Sequence, residues 1–324
     1  MAAMDLRPLN LGELLDRTFT VYRNHFWMFV GIMALPEVIL VISGIGLQAI
    51  WRPMMTPPGS ATPAQTMAQF QQFFGTFLLS FGILFLVTYV LYTIALGATT
   101  FAVSDVYLGR PATIASSYSK VTPRIGALLG LNLMIFLCLF ACYLLAAIFV
   151  GVLVAVSAFA SPILAIVGGI IGSGAGIAAI IWLFLGFSVS AQSLLLERSG
   201  IIQALKRSLE LVRRNRGRVF VVLFLMTLMT YIVIIVLQMP FWILSGVMTA
   251  KSQQVPLWIT GLSSIVGGAG AALSTPLLMV ALALFYYDVR VRKEAFDLQV
   301  MVANLDARPG ALPPGAAPPP AAIG

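Results

Sequence analysis

The sequence predicts an all-α, polytopic membrane helix bundle with six transmembrane helices. Three observations predict it. The chain is 60% hydrophobic and only 9% charged over 324 residues, too apolar for a water-soluble domain of that length. Asp, Glu, Lys and Arg are absent from 53–104, 125–196, 219–250 and 252–287, and an uncharged apolar run of about 20 residues or more can cross a bilayer as a helix. The runs are continuously apolar rather than alternating, which argues against lipid-exposed strands.

Each span follows from these runs. The first covers about 26–50. It starts too late and runs too long for a signal-peptide core, so it reads as an uncleaved first span. The second covers about 73–103. The stretch 125–196 is too long for one helix and breaks at "SAFASP", which gives spans near 127–158 and 163–193. The fifth covers about 219–247 and the sixth about 259–287. Several exceed 20 residues, so tilt or extension beyond the hydrocarbon is expected.

Orientation follows from Lys and Arg. With six spans both termini share one side, and of the 19 basic residues all but Arg52 and Lys251 fall on that side. This is a strong positive-inside signal. It places both termini in the cytoplasm of a cell (cytoplasmic) membrane. The net charge of +8 is mostly this topology signal. No nucleic-acid partner is expected, because the charges sit beside spans rather than in a separate basic domain.

Before spans one, three and five lies a short segment with helical amphipathicity. In "LNLGELLDRTFTVYRNHF", Leu11, Leu14, Leu15, Thr18, Tyr22 and Phe26 share a face. Asn10 followed by Glu13 is a capping-box pattern. In "SGIIQALKRSLELVRRNRGRVF", Ile201, Ile202, Leu205, Leu209 and Val212 form the stripe, with Lys206, Arg207, Glu210, Arg213 and Arg214 off it. "PATIASSYSKVTPR" is a weaker version. The three superpose on Val21, Val121 and Val212, with Leu14, Ile114 and Leu205 seven positions earlier. The domain 1–299 is therefore expected to be three repeats of an interfacial amphipathic helix plus a helical hairpin. Residues 300–324 are rich in Pro, Ala and Gly and are expected to form a disordered cytoplasmic tail.

"LGELLDRTFTVYRNHFWMFVGI", "IIQALKRSLELVRRNRGRVF" and "ALFYYDVRVRKEAFDLQ" resemble the membrane domain of glycerophosphoryl diester phosphodiesterases, over about residues 9–299. The resemblance implies a prokaryotic membrane region that occurs either before a soluble phosphodiesterase domain or alone. It does not imply that activity here. The phosphodiesterase barrel of that family uses paired histidines and acidic metal ligands, and this chain has one histidine, His25. The resemblance lends architecture and not chemistry.

No other catalytic set emerges. Acid–base or hydrolytic sites need positioned titratable groups, and the spans supply almost none. Cys138 and Cys142 lie four apart in span three; a metal site needs more ligands, so they read as packing thiols. No metal or cofactor is expected. Gly168, Gly172 and Gly176 recur every four residues in span four, as do Ser263, Gly267 and Ala271 in span six. Such faces admit a close neighbour, and spans four and six are expected to pack tightly, with each other as one pairing.

Glu37 is the exception. It stands about 16 Å past Phe26 at 1.5 Å per residue, near the middle of a core about 30 Å thick. A charged acid there costs about 3 kcal/mol or more. It is expected to face the bundle, protonated, and to hydrogen-bond Tyr231 or Thr275, which share its depth. Pro36 and Pro276 free the carbonyls of Ile32 and Ala272. Two interrupted helices and a carboxylate at one depth are also ingredients of a transporter site.

The leading functional expectation is a non-enzymatic membrane protein that organises or senses the bilayer or supports other membrane proteins. Its partners are anionic lipid headgroups, met by Lys206, Arg207, Arg213 and Arg214 at about 1 kcal/mol each. The alternative is a small-molecule or ion transporter with a midplane polar site at Glu37, Tyr231 and Thr275.

Overall fold

The computed structural model describes residues 8–55, 62–251 and 255–294; the expected tail at 300–324 lies outside them. The described residues are helical with no strand, and six helices are long and apolar enough to cross a membrane. The chain is a multi-pass membrane protein.

Helix α1 (Leu11–Asn24) begins at the expected capping box. The Asn10 side chain accepts from the Glu13 N–H at 2.7 Å, and the Glu13 carboxylate accepts from the Asn10 N–H at 2.8 Å. It buries Leu14, Thr18 and Val21. A turn at His25 leads into α2 (Phe26–Met55), and α3 (Pro63–Tyr107) closes the first hairpin. Helix α3 starts ten residues before the apolar run, because Thr62 and Gln65 cap it reciprocally. At 1.5 Å per residue it is about 67 Å long, so it extends well beyond a core about 30 Å thick.

Next come α4 (Ile114–Val121), a single 3-10 turn, and α5 (Ile125–Ala160). The break at "SAFASP" is one residue wide. Ser161 is extended, its side chain accepts from the Leu164 N–H at 3.2 Å, and Pro162 opens α6 (Pro162–Phe187). A proline disfavours the helical region for the residue before it, so α5 and α6 fold back as adjacent antiparallel neighbours. Span four is not continuous to 193. It stops at Phe187 and resumes as α7 (Ser190–Leu196). Then follow α8 (Ile201–Val212), α9 (Arg216–Ala250) and α10 (Leu257–Glu294).

Helix α10 is the most buried span and packs on α9, α2, α3 and α1. The expected pairing of spans four and six does not form. A Cβ at Gly168 would lie 3.1 Å from Ser157 Oγ, at Gly172 3.2 Å from Leu153 and Val150, and at Gly176 3.0 Å from Ala146. All are on α5, where the one-residue turn forces contact. Span six instead meets α9. Ser263 Oγ donates to Gln238 Oε1 at 2.8 Å, Gln238 Nε2 donates to the Ser263 carbonyl at 3.0 Å, and the lack of a side chain at Gly267 leaves room for that amide.

Helices α1, α4 and α8 gather at the end that carries most of the basic residues, here the basic face. Helix α1 packs on α10, α4 on α3 and α8 on α7. Val21, Val121 and Val212 are all buried, and each precedes the next span by four or five residues. An acid at each hairpin end holds the adjoining amphipathic segment. Asp105 pairs with Lys120, and Glu197 pairs with Arg207. Asp288, which is fully buried, accepts from the Leu9 N–H at 2.7 Å and pairs with Arg218 at 3.0 Å and Arg292 at 3.1 Å.

Candidate functional site

Glu37 is 7% exposed and faces the bundle. Its partner is Tyr92 of α3, whose hydroxyl donates to Oε1. Tyr231 cannot take that place, being 59% exposed on the outer face of α9. Thr275 is half-buried and makes no hydrogen bond with Glu37. Of the two freed carbonyls, that of Ile32 is met from the basic face rather than by Glu37. Tyr118 of α4 donates to the Ile32 carbonyl at 2.6 Å, and Tyr22 of α1 donates to the Leu273 carbonyl, beside the one freed by Pro276.

The pair sits between two openings. One, of about 550 Å³, lies between α2 and α10 and is apolar apart from Glu37; Val38, Val41, Ile265 and Ala272 line it. Gly268 lets α10 come close here, since a Cβ would lie 2.4 Å from Val41 Cγ2 and 3.8 Å from Glu37 Oε2. The other, of about 450 Å³, lies between α3 and α5 and includes Tyr89, Tyr92, Thr93 and Asn132. Met33, Ala95, Ala272 and Met279 form a small apolar cluster of their own, against which Tyr92 packs. A lone carboxyl on a phenol can tie α2 to α3. It has no second acid or cation with which to relay a proton, and no cluster of metal-ligating side chains occurs among the described residues.

The basic face has more chemistry. Lys206, Arg213 and Arg214 are exposed on and just after α8. Arg207, expected beside them as a headgroup ligand, turns inward, pairing with Glu197 at 3.2 Å and with Glu294. Burial works against its charge, but the two carboxylates outweigh burial and hold the guanidinium above its ordinary pKa. The inner face of α8 is Ala204, Leu205, Ser208, Leu211 and Val212. Ile202, placed in the apolar stripe by sequence, is 63% exposed.

The ends of the hairpins line an open cleft of about 710 Å³. Phe101, Leu108, Leu195 and Leu196 supply apolar walls; Arg110, Lys120, Arg124, Arg198 and Arg290 supply five cations against one acid, Asp105. Lys120 is taken by Asp105. Arg290 is held by Glu294 at 3.1 Å and Glu197 at 3.8 Å, and Tyr286 donates to Glu197 at 2.7 Å. Arg110, Arg124 and Arg198 make no side-chain ion pair among the described residues. Arg198 also has φ of 54°, a left-handed conformation that residues other than Gly rarely adopt. Sequence reasoning counted these arginines as topology signal. Their convergence from three segments, the ends of α3 and α7 and the turn before α5, left no local pattern. The available sign was an acid placed where each second span ends: Asp105, Glu197 and Asp288.

No family model matches the chain, and no curated protein or solved structure matches it either.

Proposed function

We propose that this is a non-enzymatic protein of the cytoplasmic membrane, with both termini cytoplasmic, whose basic face engages anionic lipid headgroups in order to organise or sense the bilayer or to support partner membrane proteins. The observation that carries the reading is the set of exposed cations on an amphipathic helix docked beside the spans: Lys206, Arg213 and Arg214 have no ion pair among the described residues. Each basic residue near an anionic surface contributes about 1 kcal/mol of attraction. Interior pairing of Arg207 makes it a tie between α8 and α10 rather than a headgroup ligand.

Three repeats of one amphipathic helix plus one hairpin remain the architectural part of the proposal. The common burial of Val21, Val121 and Val212 supports it, as does the shared packing of α1, α4 and α8 on a second-span end. In that scheme α1 closes a ring by docking on the last hairpin. The chain would be a membrane-region member of the family it resembles.

The test is reconstitution of the full chain in nanodiscs of phosphatidylcholine with or without phosphatidylglycerol. Anionic lipid should raise the unfolding midpoint, and salt should reduce the gain. Replacing Lys206, Arg213 and Arg214 together by Gln should lower that gain, by about 1 kcal/mol per cation removed. Equal stabilisation by both lipids would refute the reading.

A second reading, a transporter, rests on the Glu37–Tyr92 pair lying between two openings. Flux in proteoliposomes that is lost in Glu37→Gln would put it first.

A further inference from the structure

We infer that the cleft at the ends of the hairpins is a stoichiometric binding site for one phosphate-bearing anion, supplied by an anionic phospholipid whose headgroup enters among Arg110, Arg124 and Arg198. The inference deepens the proposed engagement of anionic lipid and rests on it for the source of the phosphate.

Charge gives the first argument. Five cations and one acid line the cleft, and the acid is already used by Lys120. Arg290 is engaged by Glu197 and Glu294. Three guanidiniums thus face a shared space with no carboxylate partner among the described residues. Arginine offers a planar fork of donors that matches phosphate oxygens two at a time, which a lysine does not.

Shape and depth give the second. A volume of about 710 Å³ falls within the usual range for small-molecule sites, about 300–1,000 Å³. The cleft is lined by both cationic and apolar side chains. Phe101 lies on α3, nearer the bundle centre than Asp105, and Leu195 and Leu196 end α7. Ser104 and Tyr287 add hydroxyls 2.7 Å apart at the boundary. A wall of leucine and phenylalanine behind a cationic rim fits an amphiphile better than a free ion. The site also lies where spans end, at the level of headgroups.

Construction gives the third. Arg110 follows α3, Arg124 precedes α5, and Arg198 follows α7. The cleft therefore exists only when the hairpins are assembled, and a ligand here would tie them together. Arg198 holds its place at φ 54°, where glycine would be relaxed.

The experiment is native mass spectrometry and thermal-shift titration of the full chain in detergent. The probes are short-chain phosphatidylglycerol, short-chain phosphatidylcholine and inorganic phosphate. Phosphatidylglycerol should saturate at one equivalent, with phosphatidylcholine binding far more weakly. Arg110→Gln and Arg124→Gln should each weaken that event about tenfold, the scale of a lost charge-assisted hydrogen bond. Arg198→Gly should weaken it similarly while leaving the ligand-free protein at least as stable, which separates binding from folding. The triple Gln variant at Lys206, Arg213 and Arg214 should leave the one-equivalent event intact. If the cleft variants bind one equivalent as tightly as the parent, the cleft inference fails, whatever becomes of the surface reading. If the cleft event persists but the triple Gln variant keeps the parent's full anionic gain in nanodiscs, the surface reading fails alone. If inorganic phosphate saturates the site as tightly as phosphatidylglycerol, the lipid source is overturned in favour of a soluble phosphate.

Discussion

Removing the carboxyl of Glu37 tests what the buried acid does. Glu37 is 7% exposed, and its partner Tyr92 reaches it from α3. Glu37→Gln keeps the length and an acceptor for the phenol, and brings no charge into the bundle, so it should fold nearly as the parent does. Glu37→Leu strands the Tyr92 hydroxyl among Met33, Ala95, Ala272 and Met279. An orphaned buried donor costs about 1–3 kcal/mol. Tyr92→Phe leaves the acid without its donor at a similar cost. The double variant Glu37→Leu with Tyr92→Phe removes both polar groups together, so it should cost no more than the worse single change. The cycle should therefore show a coupling of about 1–3 kcal/mol. Glu37→Lys forces a cation to mid-membrane depth, at about 3 kcal/mol or more, and should depress membrane yield most. The assay is unfolding of purified variants in one detergent, with membrane yield measured alongside. If Gln damages folding as much as Lys, the acid is ionised and paired, and the neutral tie between α2 and α3 is wrong.

Four further outcomes follow from the geometry. Reporter fusions at Ser60 and Lys251 should report the outside and a fusion at the C-terminus the cytoplasm; a periplasmic C-terminus would sink the six-span topology. Single cysteines along 201–214, labelled by a water-soluble reagent, should be protected at Ala204, Leu205, Ser208, Leu211 and Val212 and reactive at Ile202, Lys206 and Arg213; uniform reactivity would mean an undocked α8. Asp288→Ala leaves the Leu9 N–H, Arg218 and Arg292 without their buried carboxylate and should cost about 1–3 kcal/mol, read as unfolding at lower denaturant; an unchanged midpoint would show that α1 is held by other contacts. Burial pushes the Tyr22 phenol up to about 12 from 10.0. Its share of stability is full below pH 10 and is lost as pH rises toward 12. Tyr22→Phe should therefore lower stability at neutral pH and make its decline above pH 10 shallower; a steeper decline would contradict the assignment.

The number of spans was legible along the chain, because hydrophobic length and the absence of charge are local properties that the bilayer reads directly. So was the start of α1, since the bonds between Asn10 and Glu13 are made within four residues. The break at Ser161–Pro162 was legible for the same reason. What faces what was not. A span that is apolar all round carries no period to mark its inner side, and lipid tails are as apolar as the leucines of the bundle. Thus the glycine stripe of α6 was visible while its partner α5 was not, and Glu37 could be placed at depth but not matched to Tyr92. On the basic face, where water does distinguish sides, amphipathicity located α8. It could not show that Arg207 turns toward Glu197 and Glu294, or that Arg110, Arg124 and Arg198 share one cleft. Those relations join residues up to about a hundred positions apart, and only the packing of the hairpins brings them within reach of one another.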